Sequence, residues 1–428
     1  MPALTTTSGR TSVRKKLMTT LLVSQICGST GQSISLAIGS IMAASITGTN
    51  TWSGMPVAVS GLGSALASWP LSRLMNRSGR RPGLALGYGL AVIGAGVGMV
   101  GVTIRSFPLM LGGMVLFGIG TTSNLLARYA AADVSGGAER GRAMGLIVGG
   151  STIGSIMGPM LMSPTLRVGA LLGVPETASA FLVSIAGFAV AALVIEVFLR
   201  PDPLAVARQY QERMDAGRPV GVARRAGEIF ADVRVQIALA TLSISQFVMI
   251  STTSTSPVYL HDQGHNVQTI GVAVSLHLAG MYVTSPLSGW LCDRFGRLPM
   301  IGVGAVMLIA AVVLAALVPG SDRVLVIFAL FLNGVGWNLA FVSGSALLTD
   351  ALSPAERAPT QGLADLSMGL MGAFGSAAGG MILGLWGFTI LNTLGAALAL
   401  GPLVVTLLRR PALAPISTRA VDTLQGPE

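Results

Sequence analysis

The chain has 428 residues, a formal net charge of +10 at pH 7, 10% charged residues and 52% hydrophobic ones. Soluble globular proteins carry about 25% charged residues, so this chain lacks the material for a water-facing exterior. From Leu17 to Ser72 there is no Asp, Glu, Lys, Arg or His, a stretch long enough for two membrane spans of about 20 residues each.

In chain order, apolar runs bounded by Pro, Gly and charges predict twelve helices. They cover about 18–46, 53–75, 83–104, 108–133, 142–163, 177–199, 235–259, 268–291, 299–318, 323–350, 361–384 and 386–408. The runs exceed the roughly 9–11 residues of a barrel strand and do not alternate, which excludes a β-barrel. Arg14-Lys15-Lys16 precedes the first run. That run is too long for a signal-peptide core and lacks an Ala-x-Ala site, so it reads as the first span. The organisation is a tail over 1–16, a bundle over 17–199, a linker over 200–234, a second bundle over 235–408 and a tail over 409–428. The linker carries Arg200, Arg208, Arg213, Arg218, Arg224, Arg225 and Arg234. It reads as a solvated segment near anionic lipid, with Ala205 to Met214 able to form a short surface helix.

Basic residues orient the spans. Of the 27 Lys and Arg, only Arg105, Arg167 and Arg323 fall on one side, and Arg128 lies within span four. The other 23 fall on the side of the termini. This places both termini in the cytoplasm of a multi-pass protein of the cell (inner) membrane, and it explains the basic charge without nucleic acid. Cys27 lies within a span and Cys292 beside a basic loop, so no disulfide is expected, and two cysteines make no metal framework.

The few charges repeat at an offset of 217 residues. Asn76-Arg77-Ser78-Gly79-Arg80, Asp133, Glu139-Arg140 and Gly145 recur as Asp293-Arg294-Phe295-Gly296-Arg297, Asp350, Glu356-Arg357 and Gly362. The chain is therefore two homologous halves of six spans. The glycines permit a tight turn between helices. The arginines can reach a carboxylate on a neighbouring helix, and Asp133 and Asp350 are placed for that.

The segments Ser72 to Leu84 and Gly289 to Ile301 resemble the loop signature of the major facilitator superfamily. The second copy matches it at Gly289, Asp293, Arg294, Gly296 and Arg297. The first has Ser72 for Gly and Asn76 for Asp. The resemblance covers spans one to twelve. It implies an all-α membrane fold of two pseudo-symmetric six-helix bundles, in which these contacts act as latches that form in one conformation and break in another. A positive-inside anchor without switching is the plainer reading of the same residues. Asn76 interacts with a helix dipole less strongly than a carboxylate, which makes the first latch the weaker one.

Span five carries Gly145, Gly154, Gly158 and Pro159, a spacing that resembles the signature of the drug:proton antiporter branch. Met162-Ser163 stands where a closing Gly-Gly is usual. Gly154 and Gly158 share one face and allow close helix approach, and Pro159 can bend the helix. Gly145 faces the opposite side. At the 217 offset, span eleven has Met371, Gly375 and Ser376, without proline. Span four has Met114 where that branch usually has Arg.

Ionisable groups inside spans are costly, and each is a site candidate. His277 is the most central, and its class suits proton exchange; a neutral histidine bonded to a hydroxyl or carbonyl is the equal alternative. Asp365, one turn into span eleven, has Arg128 or the second latch as partner. Glu196 reads as an interfacial pair with Arg200. In the superfamily, spans one, four, seven and ten line the cavity, which implies Gln25, Gln32, Asn124, Gln246, Asn333, Trp337 and Asn338 as cavity candidates. Ser251 to Ser256 followed by Pro257 suggests either an outer gate that bends or a frayed helix end.

The cavity set lacks a charge cluster, which favours a lipophilic substrate. No phosphate-binding Gly loop with Lys is present. Sequence reading therefore expects a proton-coupled secondary transporter exporting lipophilic small molecules. The alternatives are a uniporter or symporter for a sugar or amino-acid derivative, and a membrane sensor or scaffold. No enzyme chemistry, cofactor or metal is expected. The partners are substrate, protons and lipid, with the chain acting as a monomer.

Overall fold

The computed structural model describes residues 7–135, 140–206, 225–352 and 354–409. Among these, every regular element is helical. The first half comprises α1 (Thr7–Thr47), α2 (Met55–Ser78), α3 (Arg80–Thr103), α4 (Phe107–Asp133), α5 (Arg140–Met160), α6 (Met162–Leu171) and α7 (Glu176–Phe198). The second comprises α8 (Ala226–Ala231), α9 (Val233–Asp262), α10 (Val267–Tyr282), α11 (Ser285–Phe295), α12 (Arg297–Leu317), α13 (Arg323–Asp350) and α14 (Pro354–Arg409).

Nine helical runs among the described residues are long and apolar enough to cross a membrane. One of them, Thr360–Thr406, holds two spans. They meet at Gly387, whose φ of 86° and ψ of 173° interrupt α14. The Gly- and Ser-rich α2 and α5, 24 and 21 residues long, complete the twelve. A helix of about 20 residues covers about 30 Å, the thickness of the hydrocarbon core.

Four local features differ from expectation. α1 starts at Thr7, so Lys15 and Lys16 lie on the helix rather than before it. Span five ends at Met160, just past Pro159, and the next residues form the unanticipated α6. Span eight is two helices, α10 and α11. The Ser/Thr run does not fray α9, which continues through Pro257 to Asp262. There the Thr255 and Ser256 hydroxyls bond back to the Ser251 and Thr252 carbonyls at 2.9 and 2.6 Å, while Thr252 donates to Asn392 Oδ1 at 2.9 Å. Residues 207–214 of the proposed linker helix, Glu139 and the tail beyond 409 lie outside the described residues.

Within lipid, helices associate by close packing rather than by escape from water. In the first half α3 lies along α4 and α7, and Phe188 sits between Tyr88 and an edge-on Phe117, at 6.2 and 5.1 Å. In the second half α9 and α12 lie along α14.

The halves meet through α2 with α14, α5 with α10, and α1 with α9. At the end remote from the termini, two of these seams are copies of each other. Gly54 of α2's cap lies against Ser376 of α14, and Gly271 of α10 lies against Pro159 of α5. Each partner of the first pair is 217 residues from its counterpart in the second. A methyl group on Gly54 would overlap the Ser376 carbonyl, and one on Gly271 would sit 2.7 Å from the Pro159 carbonyl. Ser376 Oγ donates to the Gly54 carbonyl at 2.7 Å, and Ser275 Oγ donates to the Ile156 carbonyl at 3.0 Å. Asn50 Nδ2 adds a bond to Asp262 Oδ2 at 2.6 Å. Gly54→Ala and Gly271→Ala should each open this end, Gly54→Ala the more strongly because its overlap is greater. Thiol labelling of a cysteine introduced at Thr51 should rise in that order; equal labelling in both variants and the parent would refute it.

Candidate functional site

At the end bearing the termini, each half holds one arginine in a repeated cradle. Arg80 Nε donates to Asp133 Oδ2 at 2.6 Å and its Nη1 to Asn76 Oδ1 at 3.2 Å. Arg297 Nε donates to Asp350 Oδ2 at 3.1 Å, and its Nη1 to Asp293 Oδ1 at 2.7 Å and the Cys292 carbonyl at 2.9 Å. Gly79 and Gly296, at φ 109° and 90°, make the turns that bring each arginine under its aspartate. Charged partners make shorter, stronger hydrogen bonds, so the Asn76 amide makes the weaker of the two contacts. Arg77 is exposed, and Arg294 lies over the Trp290 and Phe295 rings at 6.0 and 5.8 Å.

Asp202 was not anticipated. Its carboxylate accepts from the Arg80 and Arg81 backbone N–H groups at 3.0 and 2.9 Å and from Leu204 N at 2.9 Å. It thus caps α3 as an N-terminal acid does and ties the exit of α7 to the first latch. An acid between two prolines, Pro201-Asp202-Pro203, was the available signal. Glu196 lies 3.6 Å from Arg200 and 3.7 Å from Arg81.

An ion pair crosses between the halves. Arg128 Nη2 of α4 lies 3.0 Å from Asp365 Oδ2 of α14. It stands at the end of the termini, and both side chains are partly exposed. The repeat-equivalent positions, Ser345 and Val148, cannot form such a pair. Arg128 Nε is buried without a hydrogen-bond partner.

In α5, Gly154 and Gly158 face α1. A side chain on Gly154 would strike the Ile26 carbonyl and Ser29, and one on Gly158 the Ser33 hydroxyl and Thr30 carbonyl. The pair therefore sets the approach of span five to span one, while Pro159 presents its carbonyl to Gly271 of the other half. Gly145 lies in the first turns of α5.

The polar candidates of the interior form two separate groups. In the first half Tyr88 donates to Asn124 Oδ1 at 2.8 Å, and Asn124 Nδ2 donates to Gln32 Oε1 at 2.8 Å. Gln25 Nε2 donates to Ser151 Oγ at 2.6 Å, and its Oε1 is buried without a partner. In the second half Trp337 Nε1 donates to Gln246 Oε1 at 2.9 Å, and the indole stacks on Phe341 with centroids 5.0 Å apart. Asn333, one turn before Trp337, is 1% exposed, and neither side-chain atom has a partner.

Two candidates are held by hydrogen bonds within the second half. Asn338 spans the break between α10 and α11, donating to the Met281 carbonyl at 2.6 Å and Ser285 Oγ at 2.8 Å, and accepting from Ser288 at 2.6 Å. Its capacity is spent on carrying the broken helix. His277 is fully buried, with Nδ1 2.8 Å from the Leu330 carbonyl and Nε2 3.2 Å from Thr253 Oγ1. A carbonyl only accepts, so Nδ1 donates to Leu330, and Nε2 shares its hydrogen bond with the Thr253 hydroxyl. Both nitrogens are engaged inside the second half.

Comparison with known proteins agrees with this architecture. The family model of the Major Facilitator Superfamily matches residues 21–270 and 238–423. The uncharacterised MFS-type transporter YddS of Bacillus subtilis (strain 168) is 34% identical over 401 residues, 92% of each chain. The riboflavin transporter RfnT of Brucella anthropi is 28% identical over 417 residues, 94% of this chain and 98% of that one. Among solved structures, a bacterial homologue of the human lysosomal transporter Spinster, inward-facing and unoccupied, superposes with a TM-score of 0.69 at 15% identity, covering 92% of this chain and 95% of that one. With its twelve spans in two homologous halves, the chain belongs to the major facilitator superfamily and is a multi-pass membrane transporter.

Proposed function

We propose that the chain is a secondary active transporter working by alternating access, which exports lipophilic, uncharged small molecules in exchange for protons. The carrying observation is the unequal closure of its two ends. The remote end is closed by repeated backbone-to-glycine contacts on two seams. The end of the termini is bridged between halves by the Arg128–Asp365 pair, which is exposed enough to exchange with water. Placing the termini in the cytoplasm, as the Lys and Arg distribution supports, makes that pair the inner gate.

Asp365 is the carboxylate best placed to couple protons. Protonating it cancels the attraction to Arg128 and releases the inner end; His277, with both nitrogens engaged, has no such role. The substrate contacts are Asn333, the Gln246–Trp337 pair and the Gln32–Asn124 pair. Amides and an indole with no charge cluster suit an uncharged molecule with a polar edge. The span-five glycines and Pro159 support export by resemblance. The near full-length similarity to a riboflavin transporter supports a second reading, in which the same site takes up a flat metabolite.

Three outcomes follow. In proteoliposomes, Asp365→Asn and Arg128→Gln should abolish flux driven by an imposed pH gradient, while exchange without a gradient and the response of His277→Gln persist. Gradient-driven flux surviving in Asp365→Asn would refute the coupling. Asn333→Leu should raise stability by about 1–3 kcal/mol, because it removes an unsatisfied buried amide, while weakening substrate binding; a thermal melt and a KM measurement check both signs. Asn76→Asp should strengthen the first latch and slow turnover, read as a fall in the maximal exchange rate with KM unchanged.

A further inference from the structure

A groove of about 510 Å³ lies between the start of α1 and the end of α7. Its walls are Ser12, Lys15, Lys16, Thr19, Thr20, Val23, Val194 and Phe198. The six α1 residues recur at helical spacing, so they form one face. From Ser12 to Val23 that face covers about 16 Å at 1.5 Å per residue. Its chemistry changes along this length. Hydroxyls and two ammonium groups sit toward the terminus, and Val23, Val194 and Phe198 lie deeper.

Lys15 and Lys16 are exposed and make no ion pair among the described residues. The Thr20 hydroxyl is spent on the Lys16 carbonyl at 2.9 Å, whereas Thr19 is exposed and has no such bond. No acid lines the groove. The nearest on α7, Glu196, already faces Arg81 and Arg200. Phe198 is 51% exposed and Val23 40%, so the deep part opens sideways rather than into the bundle. The second half has no counterpart. At the 217 offset, Lys15 and Lys16 become Asp232 and Val233, and Asp232 accepts from Arg234 N at 2.9 Å as the cap of α9. A general need for basic anchors does not explain a lysine pair above an apolar slot in one half alone.

We infer that this groove is a binding site for one anionic phospholipid, its phosphate held by Lys15, Lys16 and the Thr19 hydroxyl and its acyl chain laid along Val23, Val194 and Phe198. Lysines near a membrane surface attract anionic headgroups, and the apolar slot adds what a free anion cannot use. The inference does not depend on the direction of transport or on its coupling.

The test is native mass spectrometry of the full chain in micelles with equal phosphatidylglycerol and phosphatidylcholine of one chain length. Wild type should retain phosphatidylglycerol preferentially. Lys15→Gln/Lys16→Gln should reduce that preference by roughly tenfold or more. Val194→Trp, which fills the slot at unchanged charge, should also lose the lipid, while Arg200→Gln should keep it. Undiminished preference in the double lysine variant would overturn the site, as would retention by Val194→Trp. Displacement of the lipid by inorganic phosphate at millimolar concentration would show a free-anion site and overturn the lipid assignment. A thermal melt of each variant separates lost binding from lost folding.

Discussion

Two glycines without side chains hold the halves of this transporter together. Gly54 and Gly271 each present bare backbone to a carbonyl of the opposite half, on seams that are copies of each other. In lipid, helices gain little from hiding apolar surface, and close backbone approach supplies the attraction instead. Ser376 can donate across the seam because Gly54 lets it come near, and Asn50 donates to Asp262 at the same end.

The two seams are equivalent in backbone and unequal in chemistry. Ser376 adds a hydroxyl donor to one, and Pro159 adds a rigid helix end to the other. The inequality recurs at the end of the termini. Arg128 and Asp365 join one pair of spans, and their counterparts Ser345 and Val148 leave the sister pair without an ion pair. Asn76 against Asp293 repeats the pattern inside the latches. Each departure makes one member of a repeated pair of contacts chemically different from its twin.

The repeated arginine–aspartate contacts were legible in the sequence because repetition singled them out. Arg80 with Asp133 and Arg297 with Asp350 recur at one offset in a chain with few charges. The interior polar residues carried no such signal. Asn333 and Asn338 are five residues apart on one helix, yet Asn338 supports the broken span eight and Asn333 is left with unmet hydrogen bonds. His277 and Asp365 are both ionisable groups within spans, yet the first is enclosed and the second faces the other half. Residue type and depth cannot separate these roles, because the partners come from other helices.

Composition and periodicity alone determined a membrane bundle of twelve spans, its division into two halves and the position of the turns between them. These are local properties: apolar length, charge placement and glycines at tight turns act within one segment and its neighbours. The tertiary structure decided which glycines meet carbonyls, that span five stops at Met160 just past Pro159, and that Asp202 caps α3. Such features arise from approaches of a few ångströms between residues more than a hundred positions apart, and no local pattern encodes the distance between two helices.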